Sequence, residues 1–136
     1  MQLIVRVAGQ ETVPDDPRII TDSDHLDDHA YHRRMRAFDA LILPFEPQGM
    51  LTTGTAFDVM GAGLAAITSD WGFLDETFAG ADIRYGSTAD ELQQCLQHLT
   101  TEQLQASAAA IAAQTSRFDW GPIAESTLGV LHDLCP

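Results

Sequence analysis

The sequence contains no lysine: its seven basic residues are all arginines, set against 20 acidic residues, and the formal net charge is −13. Without lysine, a Walker-type phosphate loop and a Schiff-base enzyme are both excluded, because each depends on a lysine side chain. The excess of negative charge repels phosphate backbones. We therefore expect neither nucleic-acid binding nor a polybasic membrane contact.

Cysteine and long apolar runs are also scarce. The chain has two cysteines, Cys95 and Cys135, whose positions fit neither a disulfide framework nor a zinc-binding spacing. The apolar run in MQLIVRVAG is too short for a signal peptide, and no segment has the length needed to span a bilayer. These absences predict a cytoplasmic protein with no membrane span and no bound cofactor.

What the sequence does contain is the composition of a globular domain. It has 136 residues, of which 45% are hydrophobic and 20% charged. A chain of this length buries a sizeable core without help from disulfides or metals. We expect one domain over residues 1–136.

Short apolar runs alternate with helical patterns along the chain. Strands are predicted at Leu3–Val7, Arg18–Thr21, Asp39–Phe45, Leu64–Thr68 and Asp82–Tyr85. Helices are predicted at Asp27–Ala37, from Thr52–Thr55 through Met60, at Leu74–Phe78, from Thr88 to Leu99, at Thr101–Arg117 and at Pro122–Leu134. This alternation predicts an α/β fold, a Rossmann-like parallel sheet of about five strands flanked by helices.

Local signals fix several details of these elements. Thr88 with Glu91 has the spacing of a capping box. Asp24 or Asp27 is a candidate cap for the first helix. The last helix carries apolar positions along one side: Ile123, Thr127, Val130, Leu131 and Leu134. Trp71, Cys95 and Trp120 are expected to pack in the interior.

The segment Thr52–Thr55 stands where the buried strand Asp39–Phe45 gives way to a helix. Free backbone N–H groups and the helix dipole make such a start a phosphate site that needs no lysine. Gly54 lacks a Cβ and lets an oxygen approach closely. Asp58, one turn further in, has a carboxylate suited to ribose hydroxyls. The same residues equally fit a helix cap and tight turn with no ligand, and both interpretations stay open.

A longer pattern surrounds this segment, in the stretch LPFEPQGMLTTGTAFDVMGAGLAAITSDWGFLDET over Leu43–Thr77. It resembles the C-terminal domain of retaining, family-4-like (group 1) glycosyltransferases, half of a GT-B fold. In that family a strand ending in proline precedes a loop with a glutamate and a helix opened by small residues. Asp58–Ala65 stands in the register of that helix, and Gly72–Glu76 resembles the glycine-to-glutamate turn that follows.

The resemblance extends beyond this stretch. Arg36–Leu41 resembles the family's helix followed by an aspartate-led strand, and Phe118–Trp120 resembles the aromatic pair before its last helix. The similarity runs from about Gln2 to Leu134. The order of the motifs carries more weight than any one of them.

This resemblance implies that the chain binds a nucleotide-diphospho-sugar for retaining sugar transfer to an unknown acceptor, without a required metal or cofactor. The amides of Thr53, Gly54 and Thr55 would hold the diphosphate and Asp58 the ribose. Further candidates for the substrate site are Thr52, Glu76, the loop after Thr21, and Pro44 and Phe45 beside the base. No catalytic residue is identified.

The chain also departs from the family pattern. Asp58 replaces the family's second glutamate, and Met50 stands eight residues earlier, so Glu46 is the remaining candidate for the first acid. The chain starts at the strand Leu3–Val7, without the arginine and lysine that the family brings to the diphosphate. The expected partner is therefore a missing or separate N-terminal acceptor domain.

Three other interpretations remain. One is a non-catalytic or degenerate Rossmann-like binding or assembly module, whose mark is an exposed apolar face that leads to homo-oligomers. Another is a different flavodoxin-like or Rossmann-like domain, which the absence of a Gly-x-Gly-x-x-Gly pattern disfavours. A metal site is the third, with candidate ligands His25, His29, His32, Asp24 and Asp28; surface helix residues explain that cluster more simply, and no metal is expected.

Overall fold

A computed structural model describes residues 5–8, 16–22, 26–45 and 52–134 of the chain. The strands are β1 Val5–Ala8, β2 Ile19–Asp22, β3 Ala40–Leu43, β4 Ala65–Ser69 and β5 Ile83–Gly86. The helices are α1 Asp28–Met35, α2 Thr55–Ala62, α3 Gly72–Phe78, α4 Ala89–His98, α5 Thr101–Gln114 and α6 Trp120–Leu134. A 3-10 turn, Thr115–Phe118, joins α5 to α6.

All the strand pairs are parallel. β1 pairs with β2, and β3, β4 and β5 form a three-stranded sheet in that order. The sheet begins with Ala40 opposite Ala65 and Ile67 opposite Ile83, and an irregularity after Thr68 brings Ser69 opposite Gly86. The α/β prediction is confirmed: this is a mixed α/β fold of general Rossmann-like form, with helices flanking a parallel sheet.

The sheet arrangement corrects one prediction. Five strands form near the predicted positions, but they pair as sheets of two and three rather than as one sheet of about five. Within the described residues, β1 and β3 each pair with a single strand, so both sheets end there. No described strand lies between β1 and β3 to join them.

The central strand β4 explains why the sheet needs helices around it. All five of its residues, AAITS, are buried. Parallel strands buried on both faces consist of continuous apolar or small residues rather than alternating ones. Helix α5 packs on β4, α4 packs on β5, and α2 packs on β3 and α1.

Caps fix where the helices begin and end. The Asp27 carboxylate accepts from the Ala30 N–H at 2.7 Å and starts α1, as predicted. The predicted Thr88–Glu91 capping box forms at the start of α4. At the end of α2, Gly63 takes a left-handed φ of 72°, a conformation that glycine adopts at no steric cost.

One connected apolar core lies between the three-stranded sheet and these helices. Its fully enclosed side chains include Leu43 on β3, Leu74 and Phe78 on α3, and Ile111 on α5. Trp71 is 6% exposed and packs in this core, as expected for the turn before α3. Cys95 is half-buried and free, and burial raises the pKa of its thiol.

The last helix differs from the other α-helices because every one of its residues is exposed. Its first residue, Trp120, is 85% exposed, so the prediction that this tryptophan lies in the core is wrong. The predicted apolar side of α6 exists, but no described element covers it. Among the helices that the structure describes, none is long and apolar enough to cross a bilayer.

Two matched aromatic truncations test this core. Phe78 is 0% exposed and Trp120 is 85% exposed. We expect Phe78→Ala to lower the free energy of unfolding by about 3–5 kcal/mol, because it leaves a cavity in the core. Trp120→Ala should change it by less than about 0.5 kcal/mol in dilute solution, where nothing packs on that ring. Chemical denaturation followed by circular dichroism measures both, and similar losses in the two variants would contradict this core.

Candidate functional site

The candidate site lies where the three parallel strands end. Because β3, β4 and β5 run in one direction, their carboxyl ends meet at one edge of the sheet. A cavity of about 210 Å³ opens there. Its walls come from the strand ends and the start of α4: Pro44, Phe45, Ser69, Asp70, Tyr85, Ser87, Thr88, Ala89 and Leu92.

Ser69 links the two strand ends that form the floor of this cavity. Its hydroxyl donates to the Phe45 carbonyl at 2.5 Å, which ties the end of β4 to the residues after β3. Tyr85 on β5 lies beside it, and burial raises the pKa of the Tyr85 phenol while the Ser69 hydrogen bond lowers it. The cavity therefore presents the Tyr85 phenol and the Phe45 ring, and the Ser69 hydrogen bond holds the strand ends beneath them together.

The charge around the cavity disfavours anions. Asp70 is an exposed carboxylate on its wall, and no arginine or histidine lines it. The Glu91 carboxylate already accepts from the N–H groups of Ser87 and Thr88, at 3.0 and 2.9 Å. The Thr88 hydroxyl and these two amides hold the pKa of Glu91 below its usual value. The start of α4 is thus closed to phosphate, because a carboxylate occupies it.

The start of α2 is built differently. Gly54 has no side chain to cap the helix, is exposed, and has open space around the position of a Cβ. Thr52 is exposed, Thr55 is half-buried and Thr53 is 7% exposed. This helix start follows β3 along the chain, although its residues do not line the cavity. It is the open helix start that the sequence predicts.

One of the predicted amides is already in use. The Thr53 hydroxyl accepts from the Thr55 N–H at 3.3 Å. Among the described residues, none accepts a hydrogen bond from the N–H of Thr53 or Gly54. The N–H groups of Thr53 and Gly54 therefore remain for an anion, and Gly54 is the exposed residue of the two.

Asp58 is half-buried on α2, and its Oδ2 accepts from the Tyr31 hydroxyl of α1 at 2.9 Å. Burial, and then this hydrogen bond, raise the pKa of Tyr31 above its ordinary value. The prediction for Asp58 was a ribose contact; the structure gives it a protein partner as well. Its second oxygen, Oδ1, is not used by this bond, so the carboxylate keeps acceptor capacity.

The remaining predicted residues are dispersed. Pro44 is exposed and Phe45 half-buried at the cavity wall. Glu76 is exposed on α3, with no hydrogen bond to another described residue. Thr21 is the third residue of β2, but its side chain lies outside the described residues, as does all of Glu46.

The histidine cluster gains no support. His29 and His32 are both exposed on α1. Within the described ranges, no three histidine, cysteine or acidic side chains are placed to hold a metal ion. Asp24 and His25 lie outside those ranges.

The sequence did not indicate that five aromatic rings form a continuous series beside the site. Phe45 contacts Trp71, Trp71 contacts Phe73, Phe73 contacts Phe57, and Phe57 contacts Phe118, with ring centroids 5.1–6.4 Å apart. The series connects the end of β3 with α2, α3 and the 3-10 turn. Phe57 is 42% exposed, and no spacing signal marks it because its partners lie far away in the sequence.

A second feature that the sequence did not indicate is Arg84 on β5, whose guanidinium lies close to three carboxylates. It forms ion pairs with Asp75 on α3 and with Asp82, and it lies 4.0 Å from Asp70. Asp82 is 1% exposed and also accepts from the Thr68 hydroxyl. Arg84 thus offsets acidic charge beside the cavity, and it links α3 to the edge of the sheet.

Comparison with known proteins adds no relative. No protein-family model matches the chain, and no curated protein matches it. The resemblance to family-4-like glycosyltransferases therefore stays a prediction from the sequence motifs.

Titration of Tyr31 tests the Asp58 contact. In a Tyr85→Phe background a single phenol titrates, and we expect its pKa to lie above 10.0. Asp58→Asn should lower that pKa, although burial keeps it raised. Because the folded-state pKa is raised, the neutral phenol stabilises the fold below about pH 10, and this contribution is lost as pH rises through the folded-state value. Ultraviolet absorbance measures the titration; the same pKa in both variants would mean that the hydrogen bond is absent.

Thr53→Val tests the start of α2. Valine has nearly the volume of threonine and fits the buried position, but it cannot accept from the Thr55 N–H. We expect the free energy of unfolding to fall by about 0.5–2 kcal/mol, the usual effect of losing a threonine cap. Thr52→Val, at an exposed neighbour with no such bond, is the matched control. Equal effects in the two variants would argue against a capping role for Thr53.

Proposed function

We propose that this chain binds a nucleotide-diphospho-sugar, as the donor-binding half of a GT-B glycosyltransferase. The observation that carries the proposal is the start of α2. That helix begins after a strand of a parallel sheet, with Gly54 exposed, no carboxylate cap, and open space where an oxygen would approach. Helix starts of this kind bind phosphate through backbone N–H groups and the helix dipole.

The proposed site divides the donor into parts with different chemistry. The diphosphate, which is anionic, meets the amide of Gly54 and the hydroxyls of Thr52 and Thr55. The base, which is neutral, lies toward Pro44 and Phe45, beside a wall where Asp70 disfavours negative charge. Phosphate and base are thus directed apart by the charge of the protein, because the α4 start beside the cavity carries a carboxylate cap and the α2 start does not.

Asp58 contributes the ribose contact. Tyr31 donates to its Oδ2, which orients the carboxylate and leaves Oδ1 to accept from a ribose hydroxyl. Tyr31 is in this view a positioning residue that acts through Asp58. Aspartate at this position is one methylene shorter than the glutamate of the family pattern, so the ribose must approach α2 more closely.

Donor binding alone does not give sugar transfer. The leaving diphosphate needs several hydrogen-bond donors aimed at the charge that develops on it, and an acceptor held against the sugar. The described residues supply some of the hydrogen-bond donors for the diphosphate. We identify none among them that would hold the acceptor. We therefore propose that turnover requires an acceptor-side domain in addition to residues 1–136.

A second candidate function is a non-catalytic binding or assembly module with the same fold. The uncovered apolar side of α6 favours it, since large apolar patches on a protein surface mark contacts with other molecules. In this alternative the α2 start is only a helix cap, and nucleotides do not bind.

Ligand titration of a matched pair of variants decides between the two. We expect UDP, GDP or ADP, alone or with an attached sugar, to bind the chain saturably by calorimetry. Gly54→Asp should place a negative charge at the same helix start, where it repels phosphate, and weaken binding by at least about tenfold. Gly54→Ala has no charge and should bind more nearly like the natural chain. Both substitutions fit the fold, since Gly54 has a helical φ of −62° and empty space around its Cβ position.

Thermal unfolding of the same variants separates binding from folding. Gly54→Asp should be as stable as the natural chain or slightly more stable, because a negative charge near a helix N-terminus interacts favourably with the helix dipole. Binding that is equally strong in Gly54→Asp would overturn the proposed phosphate site. No binding of any nucleotide to the natural chain would favour the assembly module.

A further inference from the structure

Helix α6 is a complete amphipathic helix whose apolar side faces no described part of the protein. None of its 15 residues is buried. Its large apolar side chains and their exposed fractions are Trp120 85%, Ile123 39%, Leu128 56%, Val130 56%, Leu131 52% and Leu134 72%. A helix of this pattern derives its stability in proteins from packing its apolar face against something else.

The spacing along α6 indicates what kind of surface fits it. Trp120, Ile123, Thr127, Val130 and Leu134 follow one another at intervals of three and four residues, the pattern by which two helices pack side by side. At about 100° per residue the apolar stripe covers about 160° of the helix. The charged side chains of α6, Glu125, His132 and Asp133, all lie outside this stripe.

The size of the stripe matches what a small dimer needs. Leucine-sized side chains at these exposures offer about 100 Å² each and the tryptophan about 200 Å², so one copy presents roughly 700 Å². Two copies facing each other would bury about 1,400 Å² in total, toward the lower end of the range for specific protein interfaces. Because the stripe carries no charge, two copies place no like charges in direct contact.

We propose that α6 is a self-association surface, and that its occupant is α6 of a second copy of this chain, packed helix against helix about a two-fold axis. The stripe of one copy contacts the stripe of the other, as the two-fold symmetry of a dimer requires. This deepens the assembly alternative given under Proposed function. It does not depend on nucleotide binding, and its test measures mass, so the two proposals can fail separately.

The net charge of −13 gives this dimer a distinctive salt dependence. Two copies repel each other at long range, but screening at physiological ionic strength limits charge interactions to about 8 Å. Contacts between apolar side chains are not weakened by salt. Association should therefore strengthen as salt is added, whereas an interface of ion pairs would weaken.

Sedimentation equilibrium of the 136-residue chain tests the proposal. Over about 1–300 µM protein we expect a monomer–dimer equilibrium in the micromolar range, as befits an interface at the lower size limit. The dissociation constant should decrease when the sodium chloride concentration is raised from about 0.02 M to about 0.5 M. Leu131→Glu, at the centre of the stripe, should raise it at least about tenfold.

Ser126→Glu is the matched control, because it adds the same charge to the same helix outside the stripe. It should leave the dimer largely unchanged. Leu131 is 52% exposed, so its substitution leaves no core cavity, and both variants should keep the melting temperature measured in dilute solution. In a Trp71→Phe background, the emission of Trp120 should shift to shorter wavelength as the dimer forms, because its ring leaves water.

A monomer at every concentration and salt would overturn the proposal. So would a dimer that Leu131→Glu and Ser126→Glu weaken equally, or one that salt dissociates.

Discussion

The parallel pairing of β3, β4 and β5 is the constraint on which the rest depends. β4 is buried along its whole length, so it is stable only with a strand on each side and helices packed over it. Parallel strands also bring their carboxyl ends to one edge. The cavity and the Ser69 hydrogen bond that closes its floor both belong to that edge.

At this edge two helix starts have opposite properties. α4 begins with a capping box, in which Glu91 already occupies the amides that an anion would need. α2 begins at Gly54, which has no side chain to cap it, and the neighbouring Thr53 hydroxyl accepts only from the Thr55 N–H. The contrast comes from single residues rather than from the fold, since both helices follow strands of the same sheet. Of these two helix starts, α2 is the candidate for phosphate, and the cavity beside α4 suits neutral chemistry.

The acidic charge affects every surface of this chain. Arg84 is shared among Asp70, Asp75 and Asp82, so positive charge near the sheet edge is used internally. A phosphate site here must therefore rely on backbone dipoles rather than on cations. The apolar stripe of α6 carries no charged side chain, which makes it suited to contact with a like-charged second copy.

The sequence by itself determined the α/β class, the positions of the strands and most helices, and the Thr88–Glu91 box, and it limited the cap of α1 to Asp24 or Asp27, because these depend on local periodicity and on neighbours within one helical turn. It also marked the open start of α2. Only the tertiary structure decided that the strands pair as two sheets, that Asp58 is bonded by Tyr31, and that Trp120 is exposed rather than buried. Apolar spacing shows that a helix has an apolar side, but not whether anything covers it. Burial and partnership depend on residues that are distant in the chain, and no local pattern encodes them.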